Sequence, residues 1–353
     1  DTLGNIVENG REYSLTTKLD ISKFYDKIPI LKNYNKKYKE KDTVSSIFQS
    51  RVFDGLMKVL LSVRSINLNY NVNERTGMSG IIHSPGIFGL NSFSKSPGWN
   101  FILGSQDSKI RNLAADNGWL VANDYLNNPF VQSRNNNFQF RSSIQPLNSL
   151  RIQLDAKRIV SENFQEIFRF DSNKGSFVSL TPTRGGSFSL SFLSIKTSFL
   201  KDDNTNNSPV FEKFVTNRNI IRDRLNTLNT QGEYGINSQD VLIPAFISAY
   251  SGSDASTFSL KPFPKIPIPN WRLDFSGLGK IKSLSEIFSS ITISHAYQSI
   301  YSIGEFSNSL LYVDDLDFTN SIMNYPLASQ QSENGLIPFF IINQVRITER
   351  FSP

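Results

Sequence analysis

Strict alternation of apolar and polar residues is the loudest pattern in the chain. Ile66, Leu68, Tyr70 and Val72 alternate with Asn67, Asn69, Asn71 and Asn73. That sets four apolar side chains on one face of a strand and four amides on the other. Phe138, Phe140 and Ile144 alternate with Gln139, Arg141 and Gln145. After a turn-like Pro146-Leu147-Asn148-Ser149, Leu150, Ile152, Leu154 and Ala156 alternate with Arg151, Gln153, Asp155 and Lys157. The two segments predict a β-hairpin. Its second strand is expected to run on through Phe164, Phe168 and Phe170 past an irregularity near Ser161. Gly185-Gly186 is expected to open a strand with Phe188, Leu190 and Phe192 opposite Ser187, Ser189 and Ser191. Further strands are predicted at Trp271–Phe275, Ile291–Tyr297 and Ile341–Ile347, with a weaker one at Tyr13–Ile21. The total is about eight to ten strands.

Helical spacing is rarer. Val44, Ile47, Phe48, Val52, Leu56 and Val59 follow a candidate N-cap at Asp42-Thr43, predicting a helix over about 43–60. Phe211, Phe214, Ile221, Leu225 and Leu228 repeat the pattern behind Ser208-Pro209, with Arg218, Arg222 and Asp223 opposite. Shorter helices are expected at Asp107–Asn117 and at Gln239–Tyr250, the latter limited by Pro244. Helical insertions are therefore placed at about 43–60 and 209–250. The basic run Lys32–Lys41 reads as a solvated linker over about 32–42. No repeat of a solenoid or propeller period is visible.

Two architectures use such alternation. In a soluble sandwich the apolar face packs on a second sheet. In an outer-membrane barrel the apolar face meets lipid and the polar face lines an aqueous lumen. The polar faces here are Asn, Ser, Gln and Arg rather than a Lys/Glu mixture, and many apolar faces begin or end in Phe, Tyr or Trp. Long polar stretches at Asp202–Ser208 and Ala328–Gly335 separate strands as surface loops would. These features favour the barrel: a mainly β fold, an antiparallel transmembrane β-barrel. The alternative is a soluble or surface-attached β-rich binding protein, with its aromatics as platforms rather than girdles.

Composition sharpens this. Charged residues make up 19 % of the 353, below the ~25 % usual in globular proteins. Ser (48) and Asn (35) together approach a quarter of the chain, and 28 residues are Phe. Small polar residues stand in for charge, and Phe for Leu. The chain has no Cys, which excludes disulfide scaffolds, thiol catalysis and Cys-based metal sites. No apolar run is long enough for a transmembrane helix, which needs about 18 residues. A start at Asp1 without Met, and an end at Ser352-Pro353 directly after a strand pattern, read as a piece of something longer.

The search for chemistry ends without a catalytic, cofactor or metal assignment. Of the two histidines, His295 sits at an alternation position and reads as structural, and His83 precedes the turn Ser84-Pro85-Gly86. Ser92-Phe93-Ser94-Lys95 matches S-x-x-K, but Ser96-Pro97-Gly98 breaks any helix and neither companion motif occurs. Asp202-Asp203-Asn204-Thr205-Asn206 starts like a calcium loop, yet Asn207 and Lys213 occupy positions that need Gly and Glu. The acidic cluster Asp314, Asp315, Asp317 lacks a distal ligand, and Gly185-Gly186 lacks the rest of a phosphate loop. The net charge of +6 is explained by lumenal arginines without nucleic acid.

One resemblance is collinear and dense. Ser96-Pro97-Gly98-Trp99-Asn100-Phe101-Ile102-Leu103-Gly104-Ser105-Gln106 is followed by Ala114-Ala115-Asp116-Asn117-Gly118-Trp119-Leu120 and by Leu150-Arg151-Ile152-Gln153-Leu154-Asp155-Ala156. Then come Phe211-Glu212-Lys213-Phe214, Asn217-Arg218, Arg224-Leu225, Gln239-Asp240-Val241-Leu242-Ile243-Pro244-Ala245-Phe246 and Asn270-Trp271-Arg272-Leu273. In this order they resemble the C-terminal part of the SprA (Sov) family, from about Lys18 to the end of the chain. That family comprises the outer-membrane translocons of the type IX secretion system, linked to gliding motility in Bacteroidota-type cell envelopes. The resemblance implies one giant single-chain barrel, of the class reaching about 36 strands; residues 1–353 would all belong to it, as a portion of a very large antiparallel transmembrane β-barrel with a few helical insertions. It implies a conduit that passes folded cargo proteins bearing C-terminal signals to the cell surface. The implied partners are a PorV-type shuttle barrel, a periplasmic plug protein, the remaining segments of the same barrel and outer-membrane lipid. This chain would supply roughly a quarter of such a wall.

Overall fold

The computed structural model describes residues 3–25, 27–28, 61–84, 86–203, 207–229, 232–309, 322, 330–332 and 335–352. The expected helix over 43–60, the linker over 32–42 and the Asp314–Asp317 cluster lie outside the described residues. Strands and helices follow in the order β1 (Asn5–Asp20), α1 (Ile21–Tyr25), β2 (Val63–Ile81), α2 (Trp99–Ile102), α3 (Ile110–Asp116), β3 (Phe130–Leu147), β4 (Leu150–Asp171), β5 (Ser176–Ser191). Then come α4 (Pro209–Leu228), α5 (Gln239–Tyr250), β6 (Asn270–Phe275), α6 (Lys282–Ser285), β7 (Ile293–Asn308), β8 (Gln330–Ser332), β9 (Gly335–Ile337), β10 (Phe340–Ile342) and β11 (Val345–Ser352). The fold is mainly β, and one antiparallel sheet of nine strands dominates it. β8 and β9 form a separate small hairpin.

From β1 to β5 the sheet is a meander in which each strand pairs with the next along the chain. β4 is the longest, and two strands share its outer side. Its first part, Leu150–Asp155, pairs with β6, and its second, Arg158–Asp171, with β5. β7 on the far side is divided in the same way, Ile293–Tyr297 against β6 and Ile300–Ser307 against β5. β5 and β6 are therefore two halves of one lane, and residues 192–269 leave it at Ser191 and rejoin it at Asn270. β10 and β11 likewise share the lane beyond β7, interrupted at Asn343-Gln344. The result is seven lanes, with β1 at one border and β10/β11 at the other. Among the described residues the two borders do not pair with each other.

Three clusters hold the fold. The first joins β4, β5, β7 and β10 to the interposed segment through Val160, Phe188, Tyr301, Ile303, Phe306, Phe340, Ile243, Ile247 and Phe263. The second packs the connection between β2 and β3 onto Met78, Phe130 and Phe164 through Phe101, Ile110, Ala114 and Trp119. The third, around Ile221, Leu225, Val241 and Ala245, binds α4 to α5. Inside it Asn217 donates to Ser248 Oγ at 2.8 Å, which satisfies a buried amide.

Several expectations need correction. The pair Gly185-Gly186 lies inside β5 rather than opening it. A Cβ at Gly186 would sit 1.9 Å from the Ser161 carbonyl oxygen and 3.0 Å from the Phe306 ring, so the glycine makes room for strand packing. Pro244 does not shorten α5, which runs through it; the proline stands in a helix buried on several sides, and packing outweighs the lost bond. On α4 the buried stripe is Val210, Asn217, Ile221 and Leu225, whereas Phe211 and the terminal Leu228 are exposed. Ser208 precedes α4 without a capping bond from its side chain.

Candidate functional site: an apolar belt beneath a charged row

The alternation resolves into two unlike sheet faces. The face of Asn67, Asn69, Gln139, Arg141, Gln153, Lys157, Ser189, Arg272, Gln298 and Arg350 is open and polar. Its ion pairs are Arg75 with Glu8, Arg141 with Asp155 (2.8 Å) and Arg272 with Asp274 (3.2 Å). Lys18, Arg151, Lys157, Arg346 and Arg350 lie on this face too, which makes it cationic on balance.

The other face changes character along the strands. Its upper part lies beneath the β2–β3 connection and the segment 192–269. Its lower part is bare. There Tyr13, Leu15 and Leu19 of β1 are each about half exposed, at 53 %, 54 % and 48 %. Ile66, Leu68, Tyr70, Phe138, Phe140, Ile152, Leu154, Trp271, Leu273 and His295 continue the band in intermediate exposure, and Ile293 is exposed. On β2 the bare stretch from Val63 to Val72 is ten residues long. A tilted transmembrane strand needs about 9–11.

The upper margin of this belt runs obliquely. On β1 the cover ends above Tyr13. Successive register partners Val72, Asn136, Val160 and Phe188 lead across the sheet from Tyr13 to Ile303 on β7. Yet β7 stays buried down to Tyr297 and opens only at His295, eight residues beyond Ile303; on β4 the margin is intermediate, at Leu154. At about 3.3 Å per residue and 4.8 Å per lane, the margin shifts about 26 Å along the strands over about 24 Å across them, an angle of about 45°.

Along the margin at the β1 side stands a row of alternating charge that single-strand pattern reading missed. Arg11 and Arg134 flank the buried Glu74 at 2.5 and 2.7 Å, and Arg184 reaches the buried Glu162 at 2.6 Å. Arg134 and Glu162 are direct register partners, so the charges span β1 to β5. The signal was present in the sequence: Glu74, Arg134 and Glu162 fall on the apolar parity of their strands. Above this row, Gln106 Nε2 donates to Asn9 Oδ1 (2.7 Å), and Gln106 Oε1 accepts from Thr76 Oγ1 (2.6 Å). Gln132 Nε2 donates to the Gln106 carbonyl at 3.0 Å. These bonds fix the β2–β3 connection to three strands.

The weighed chemical candidates stay apart. His83 is exposed, and His295 is half buried with its ring 6.5 Å from that of Phe351. Lys95 Nζ donates to the Ser92 backbone carbonyl rather than meeting its hydroxyl. Asp203 Oδ1 accepts from the Asn207 amide and so closes its own loop. Among the described residues no His/Cys/Asp/Glu group has metal-binding geometry. A cleft of about 470 Å³ lies between segment 192–269 and β11, lined by Ser194, Thr197, Phe246, Tyr250, Ile347 and Glu349. Its Glu349 accepts from Ser194 Oγ (2.8 Å) and Tyr297 (2.7 Å), a network that ties the segment to the sheet. Comparison with protein-family models finds no match, and no curated protein matches the chain.

Proposed function

We propose that this chain is a stretch of wall in a very large outer-membrane β-barrel that conducts folded proteins to the cell surface, as its resemblance to the SprA (Sov) family implies. The observation that carries the membrane part is the oblique apolar belt. A bilayer plane cuts the strands of a barrel at about 35–45° to their normals, and the belt margin has that inclination. The opposite face then lines the lumen, where amides, hydroxyls and a modest excess of arginine keep water in place. Such a surface offers a passing protein little apolar area to adhere to. Segment 192–269 and the β2–β3 connection stand above the bilayer. The conduit role, the PorV-type shuttle, the plug protein and the signal-bearing cargo come from the resemblance alone. No reaction is assigned to the chain.

Fractionation tests the reading. The full-length protein should stay with outer membranes through high-salt and carbonate washes and come off only with detergent. Release by salt alone would favour the surface-attached binding protein instead. Loss of cargo from the cell surface on depletion of the full-length protein, with unrelated outer-membrane proteins at normal levels, would then support the conduit.

A further inference from the structure

The connection between β2 and β3 carries a second apolar surface. Ile87, Phe88, Phe93, Trp99 and Leu103 all point outward, Phe93 at 97 % and Phe88 at 79 % exposure. They are presented by a built platform. Asn91 Oδ1 accepts the amides of Phe93 and Ser94, and the Asn91 amide donates to the Ser96 carbonyl at 2.9 Å. Trp119 Nε1 donates to the Ser94 carbonyl at 3.0 Å, while Phe101 faces inward into the core. Phe88 holds a left-handed backbone, φ 59°, although its ring packs on little of the protein. From Ile82 to Gln106 there is no Asp or Glu; the one Lys is Lys95.

The position of this surface identifies what it meets. Gly104 lies against the Gly10 carbonyl and the Arg11 Cβ. Asn9 donates to the carbonyls of Phe101 (2.6 Å) and Ser105 (3.0 Å). The platform is thus seated on β1 at the charged row, on the belt's own face, one step above Tyr13. Exposed aromatics, no carboxylates, a lone Lys and continuity with a lipid-facing belt together describe an interfacial segment.

We propose that Gly86–Gln106 is a foot that seats Phe88, Phe93, Trp99 and Leu103 in the headgroup zone of the same bilayer the belt faces. The inference rests on the wall reading. Bound there, it would fix the height of the wall in the membrane on the β1 side, and Lys95 would lie among lipid phosphates.

These 353 residues contain no cysteine, so site-specific nitroxide labelling requires replacing only such cysteines as the full-length protein carries elsewhere. Labels are placed on the full-length protein at Phe93→Cys, Leu15→Cys and Asn69→Cys, in vesicles of phosphatidylethanolamine with phosphatidylglycerol. Accessibility to oxygen is compared with that to a nickel chelate. The proposal expects an oxygen-to-nickel ratio severalfold higher at Phe93 and at Leu15 than at Asn69. A high ratio at Leu15 with a low one at Phe93 overturns the foot and leaves the belt standing. Low ratios at both overturn the belt and the foot with it. A Phe93 label shielded from both reagents overturns the lipid assignment in favour of a protein partner. As a readout without a label, brominated lipid should quench the emission lost on Trp99→Phe; an unquenched difference counts against the foot.

Discussion

At the residue scale, the alternation Ile66–Asn73 puts neighbouring side chains on opposite faces of the sheet, which the proposed wall would turn to opposite media. Leu68 lies in the belt between Thr17 and Phe140, and Asn69 faces the polar side between Thr16 and Gln139. A cation near the bilayer midplane of a barrel costs about 2–4 kcal/mol, whereas one in an aqueous lumen costs little. Leu68→Arg should therefore reduce folded, surface-exposed protein severalfold, and Asn69→Arg should leave it near wild type. Equal yields from the two variants would remove the lipid and lumen assignments. Glu74 and Glu162 show how a residue can break alternation without breaking the strand. Each is buried on the apolar parity because an arginine on a neighbouring strand meets it. Such pairing depends on which strands become neighbours, and a strand pattern read alone does not contain that.

At the element scale, the lanes were legible and their punctuation was not. The β3–β4 hairpin, β6 and the core of β2 follow directly from period-two spacing. The split lanes do not, since Ser191 and Asn270 become neighbours only because β4 and β7 are long enough to hold both halves. In the sequence Gly185-Gly186 reads as a beginning, because what crowds Gly186, the Ser161 carbonyl of β4 and the Phe306 ring over a hundred residues away, is set by strand pairing. The belt faces were readable; the extent of the cover over them was not, because the connections carry no periodic signal. One connection is also tied by titratable chemistry. The Ser172 hydroxyl and amide donate to Asp124 at 2.5 and 2.9 Å and hold its carboxyl below the usual carboxylate range. A lowered value means that the tie is at full strength above about pH 4 and is lost as pH falls through the lowered value. Hydrogen exchange at the Ser172 amide should accelerate on acidification beyond the intrinsic pH effect, and Asp124→Asn should abolish that acceleration. A variant that exchanges like wild type at every pH would show the tie to be idle.

At the scale of the whole molecule, the sheet has two long borders and a single covered end. An uncovered border strand presents a ladder of unpaired amides and carbonyls and invites association. β1 extends over 16 residues and β11 over eight, without proline in either. In a closed wall both would be paired along their outer sides. Amides of β1 and β11 that do not bond β2 or β7 should then exchange as slowly in native outer membranes as those inside the sheet. Rapid exchange along either border would be incompatible with a continuous wall there. The divided lane carries a different consequence, for the order of assembly. Closing a loop the length of segment 192–269 has an entropic cost of about 4 kcal/mol from its length alone. That cost is met only where both ends find a template already in register, and β4 supplies one to each. β4 is thus the splint of this fold: it precedes both halves in the chain, and the helical segment between them can be locked only after it has set.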